Sequence, residues 1–95
     1  KMPYDRVIEM FCDFVGAGKA YSKDKWTVHT PYDYWKSKCE GQRAMHKDSE
    51  NLLKMLLQKL DKSESLDTFA DWYQQNINQF KNDYAEGNIV LDSDN

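Results

Sequence analysis

The sequence predicts an all-α protein, a small bundle of three to four helices. Three observations carry that expectation. Apolar residues recur at spacings of three and four along most of the chain, as one face of a helix requires. No stretch shows a convincing strand alternation, and there is no internal repeat or low-complexity tract. Forty per cent of the 95 residues are apolar, with three Trp, six Tyr and four Phe, which suffices for one packed core in a chain too short for two.

The first helix is expected from Met2-Pro3 to near Tyr21. Tyr4, Val7, Ile8, Phe11, Phe14 and Val15 form its apolar face, and Pro3 suits a first turn because its missing donor would be unpaired there anyway. Gly16 and Gly18 weaken or close this helix unless a neighbour packs close to them. Ser22 to Thr30 is polar and aperiodic, a loop with Trp26 and Val28 tucked inward. Thr30-Pro31 reads as a cap followed by a first-turn proline, opening a short helix to about Cys39 that Gly41 ends. A third helix begins within Lys47 to Ser49 and runs to about Leu60. Leu52, Leu53, Leu56 and Leu60 lie on one side with Met55 and Leu57 flanking, a stripe wide enough to meet more than one partner element. After the polar break 62–65, Leu66, Phe69, Tyr73, Ile77, Phe80 and Tyr84 mark the cleanest amphipathic helix, capped by Ser65 or Ser63. The expected core is Val7, Phe11, Leu53, Leu56, Leu60, Phe69, Tyr73 and Phe80. Residues 1–87 are expected to form one helical domain or the C-terminal portion of one, and 88–95 an acidic flexible tail. Lys1 ahead of Met2 suggests a fragment of a larger helical domain.

The net charge of −3 is uneven: residues 1–60 sum to about +3 and residues 61–95 to about −6. The basic excess is too small to predict nucleic-acid binding. Lys19, Lys23, Lys25, Lys36 and Lys38 interleave with Tyr21, Trp26, Tyr32, Tyr34 and Trp35 as in single-strand binders. Aromatics that fill a core beneath a lysine rim are the favoured explanation. No apolar run approaches a spanning helix, so no membrane partner is expected. With no signal-like segment, Cys12 and Cys39 point to a reduced cytoplasmic setting, a disulfide between them being left open.

Candidate sites reduce to one. Gly16-Ala17-Gly18-Lys19 lacks the upstream glycine and the following Ser or Thr of a phosphate loop, since Asp13 and Ala20 stand there, and close helix packing explains it better. Cys12, Cys39, His29 and His46 lack the short spacing with which neighbouring ligands chelate zinc. His46 fits the start of a helix, as a surface or capping residue, and His29 is a loop residue with no evident partner. Glu9 and Asp13 are four apart and project from one helix face. Asp13 adjoins the apolar stripe, and a carboxylate partly buried there needs a salt bridge, backbone amides or a metal.

The strings Met2-Pro3-Tyr4, Ile8-Glu9-Met10-Phe11-Cys12-Asp13, Gly16-Ala17-Gly18-Lys19-Ala20-Tyr21, Pro31-Tyr32-Asp33-Tyr34-Trp35 and Met45-His46 before a Leu-rich helix carry a resemblance. Over residues 2–60 the chain resembles the C-terminal part of a bacterial and phage family catalogued only as a domain of unknown function. That family's upstream His-Asp and paired-histidine strings look like those of HD-type metal-dependent phosphohydrolases. The resemblance implies that Asp13 matches the last aspartate of the metal motif, with Glu9 as a possible neighbouring carboxylate. A divalent metal there would lower the pKa of a bound water and polarise a phosphoryl oxygen. None of the upstream histidines is in this chain, so it is expected to be inactive alone, with no cofactor of its own, its partner being the missing N-terminal segment or another protein. Residues 61–95 extend beyond the resemblance, and Trp72-Tyr73 to Tyr84 reads as a docking helix. The competing expectation is a helical protein-interaction module, marked by Trp35, Trp72 or Tyr73 exposed in one apolar patch.

Overall fold

The structure, a computed structural model, describes residues 1–38 and 45–89, with only the backbone for 21–23 and 38. It is all-helical: α1 (Tyr4–Ser22), a single 3-10 turn (Lys23–Lys25), α2 (Thr30–Lys38), α3 (Lys47–Asp61) and α4 (Leu66–Glu86). No strand occurs among the described residues. Gly41 and Cys39, expected at the end of α2, lie outside them.

The wide stripe of the third helix becomes the centre of the molecule. Leu52, Leu53, Leu56, Leu57 and Leu60 of α3 are all fully buried, because α1, α2 and α4 each pack against it. Burying one such side chain contributes roughly 1.5–3 kcal/mol before entropy is counted, so this helix dominates the apolar stabilisation. Val7 and Phe11 descend from α1, Tyr32 and Trp35 from α2, and Phe69 and Tyr84 from α4. Phe11 and Phe69 meet with ring centroids 5.3 Å apart.

Two expected core residues need correction. Tyr73 and Phe80 are only half-buried, because α4 is curtained on one side alone and they stand on the flank of its contact with α3. Their rings pack on each other and on Phe69 and Trp72. The places are filled instead by Tyr32, Trp35, Leu52, Leu57 and Tyr84.

Helix ends follow local chemistry. Pro3 sits just before α1, its carbonyl accepting from the Arg6 amide at 3.0 Å. Thr30 is not the cap of α2 but its first residue. Its Oγ1 accepts from the Thr27 amide at 3.0 Å, while the His29 carbonyl accepts the first helical amide, from Asp33. The hydroxyl thus tightens the preceding turn. His46 caps α3, its Nδ1 accepting from the Asp48 amide at 3.1 Å. Ser65 caps α4 in an extended conformation, accepting from the Thr68 amide at 3.1 Å. Gly87 ends α4 with φ 74°, a left-handed conformation that favours glycine. Any Cβ there would also come within 3.2 Å of the Asp48 carboxylate. Just beyond, within the expected tail, Ile89 packs against the core while 90–95 lie outside the described residues.

α1 runs unbroken through both of its glycines. Gly16 has nothing within 4 Å of a would-be Cβ, whereas at Gly18 that atom would lie 3.1 Å from Trp26 Nε1. Gly18 is therefore the packing glycine, letting the half-buried Trp26 close over the end of α1 beneath Lys19.

Candidate functional site

α1 places Glu9 and Asp13 one turn apart on the side away from α3, and both are exposed. Partial burial of Asp13 was the expectation; the helical turn instead carries it past the Val7–Phe11 face and into solvent. Hydrated, the carboxylate needs no cation, and no ion pair to it occurs among the described residues. Glu9 lies 3.7 Å from Arg6, both side chains well exposed, an arrangement that contributes little.

Three depressions surround this face. Asp13 forms the rim of one, about 230 Å³, with Met10, Phe14, Ala17 and Tyr34. Phe14 meets Tyr34 edge to face at 6.1 Å, and Tyr34 remains 53% exposed, the one large hydrophobic side chain left open among the described residues. A second, open hollow is lined by Asp5, Ile8, Glu9, Cys12 and Asp13. A third runs between α1 and α4, about 170 Å³, from Ile8 and Cys12 to Ala70 and Tyr73.

The surroundings of Cys12 do not activate it as a nucleophile. Partial desolvation and then the adjacent Asp13 charge push its thiol above the ordinary range, so less of it is thiolate at neutral pH. The tyrosine pair at the far end of α1 is structural: Tyr4 and Tyr73 hydroxyls are 2.8 Å apart, and burial followed by that hydrogen bond drives the Tyr4 hydroxyl up.

Among the described residues no group of three or more His, Cys, Asp or Glu could hold a metal ion. His29, expected to lack a partner, hydrogen-bonds Asp61 at 2.8 Å, His46 is spent on its cap, and Cys39 lies outside the described residues. The lysine and aromatic mixture is mostly core and rim: Tyr32 and Trp35 are buried, and Lys19, Lys36 and Lys54 lie over Trp26, Tyr32 and Trp35. These three ring faces are covered and so are not free to stack on bases, while the side chains of Tyr21, Lys23 and Lys38 lie outside the described residues.

Trp35 is 2% exposed and Trp72 and Tyr73 are half-buried, so the patch expected of an interaction module is not built from them. α4 docks on this chain's own α3 and α1. Tyr34 is the exposed aromatic instead. Tyr32 and Trp35, three apart, share the inward face of α2, and that spacing turns Tyr34 outward; the sequence carried this signal.

No helix among the described residues is long and apolar enough to cross a membrane. No protein-family model, curated protein or solved structure matches the chain.

Proposed function

We propose that this chain is the part of an HD-like, metal-dependent phosphohydrolase that supplies Asp13 as one metal ligand, the other ligands coming from residues outside it. The observation that supports the reading is the state of Asp13: exposed, without an ion pair among the described residues, and held on a rigid helix with Glu9 one turn away. The described residues do not by themselves fit a metal, since they bring no three suitable ligands together. No catalytic step is therefore derived from them. The test is elemental analysis of a protein joining this chain to the histidine-bearing region, with and without Asp13→Ala. Loss of bound metal and of phosphatase activity is expected. Full metal retention by the variant overturns the reading.

One observation favours a second reading, a helical protein-interaction module. Tyr34 is exposed beside Phe14 and Met10 with Asp13 at the rim, an apolar seat with a carboxylate ready for a partner's Lys or Arg. Tyr34→Ala separates the two. It leaves metal content unchanged under the first reading and releases a co-purifying partner under the second.

A further inference from the structure

The groove between α1 and α4 lies on the other side of α1 from Tyr34, and its walls are apolar. Ile8 and Cys12 form one wall, Leu66, Ala70 and Tyr73 the other, with Gln74 among its lining residues. Its 170 Å³ suffices for one aromatic or branched aliphatic side chain. The rims carry one sign of charge. Asp5 and Glu9 line the hollow that adjoins Ile8 and Cys12. On α4, Asp67 and Asp71 follow Leu66 and Ala70 by one residue and so stand in the adjacent outward row. All four carboxylates are exposed. Of the cations on these helices, Arg6 is paired loosely with Glu9 and Lys81 is drawn over the Tyr4 ring at the far end of the groove.

We propose that this groove docks a basic amphipathic helix of a partner protein, one apolar side chain entering between Ile8 and Tyr73 while flanking Lys or Arg residues meet Asp5, Glu9, Asp67 and Asp71. Charge complementarity selects the occupant. An apolar slot bordered by carboxylates on both sides favours an apolar stripe bordered by cations, which is the pattern of a basic amphipathic helix. The like-charged rims also disfavour an acidic helix of the same apolar pattern. The inference is independent of the role of Asp13, which is not needed for it.

The probe is a synthetic amphipathic peptide with Leu on one face and Lys on the other, beside its Glu-for-Lys counterpart. The Lys peptide is expected to shift the amide resonances of Ile8, Cys12, Ala70 and Gln74. Its affinity should fall at least about fivefold between about 0.05 M and about 0.5 M salt, as screening shortens the reach of the rim charges. The triple variant Glu9→Gln, Asp67→Asn, Asp71→Asn should weaken binding by a similar factor while keeping the helical circular dichroism of the parent. Ala70→Leu, which fills the slot without touching a charge, should abolish it. Equal binding of the Glu peptide, shifts centred on Phe14 and Tyr34, or no saturable binding overturns the proposal. So do shifts of the groove amides with protein concentration alone, which would make a second copy of the chain the occupant.

Discussion

At the scale of single residues, what a side chain meets decides its effect more than its type does. The two glycines of α1 show this. Replacing a helical Gly by Ala gains roughly 0.5–1 kcal/mol where the new methyl has room. Gly16 has that room, so Gly16→Ala is expected to raise the unfolding free energy from urea melts by that amount. At Gly18 the methyl would press on the Trp26 indole at 3.1 Å, so Gly18→Ala should gain nothing or lose stability. Equal gains at both sites would show that Trp26 does not close on the helix. Asp13 follows the same logic. Exposed and without an ion pair among the described residues, it contributes little to folding, and Asp13→Ala should change the unfolding free energy by no more than about 0.5 kcal/mol. The sequence placed Glu9 and Asp13 on one helix face correctly. It misjudged the burial of Asp13, because adjacency to an apolar stripe in sequence is a rotation of about 100° on the helix, enough to reach water. The His29–Asp61 contact was not legible at all, since it joins residues that only the packing of α2 on α3 brings together.

Elements were the most legible level, and their registers show why. The three long helices stand within a few residues of where apolar spacing put them, because burial of one face fixes the period. Short α2 was also expected, but its start was read from Thr30 as a cap, and a hydroxyl can as readily serve the preceding turn. Of the two candidate caps of α4, Ser65 has the extended backbone that a cap requires, while Ser63 Oγ donates back to the Lys59 carbonyl at 2.8 Å. Ser65→Ala is therefore expected to cost about 1 kcal/mol and Ser63→Ala less, measured by thermal or urea denaturation. The core was half legible. The width of the leucine stripe called for more than one partner, yet the expected core took only Leu53, Leu56 and Leu60 from it; contact from three sides buries Leu52 and the flanking Leu57 as well. Leu56→Ala should cost about 2–5 kcal/mol, because its site is enclosed and cannot collapse freely. Lys62→Ala, at an exposed position, should shift the midpoint far less; comparable shifts would mean that the buried face is misassigned.

The whole molecule is tied together where the start of the chain meets the last turn of α4. The Met2 amide donates to Ser49 Oγ, Ser49 and Tyr84 hydroxyls are 2.7 Å apart, and the Tyr84 hydroxyl donates to the Met2 carbonyl. One directional assignment satisfies all three bonds, with Ser49 donating to Tyr84. This ring joins the start of the chain, the first turn of α3 and the last turn of α4 in a buried setting. Tyr84→Phe removes one member and leaves the buried Ser49 hydroxyl and the Met2 carbonyl short of partners, so a loss of about 1–3 kcal/mol is expected. The second tie, Tyr4 to Tyr73, joins α1 to α4 and gives the fold a pH dependence. Burial, then the Tyr73 hydrogen bond, pushes the Tyr4 hydroxyl above its ordinary range, near 10 in an unfolded chain. Above about pH 10 the unfolded chain releases this proton while the folded one keeps it. The unfolded state then binds fewer protons, and stability falls as pH rises. Below that pH the contribution is fully present. Cys12, whose thiol is also pushed up, adds a decline of the same sign that begins nearer the ordinary thiol range, about 8.5. Tyr4→Phe, made in a Cys12→Ser background, should lower stability at neutral pH by the lost hydrogen bond and flatten its fall between about pH 9.5 and 11. Urea melts across that range measure both effects. An unchanged slope in the variant would mean that the Tyr4 hydroxyl loses its proton as readily folded as unfolded, and that the contact between α1 and α4 does not shield it from water.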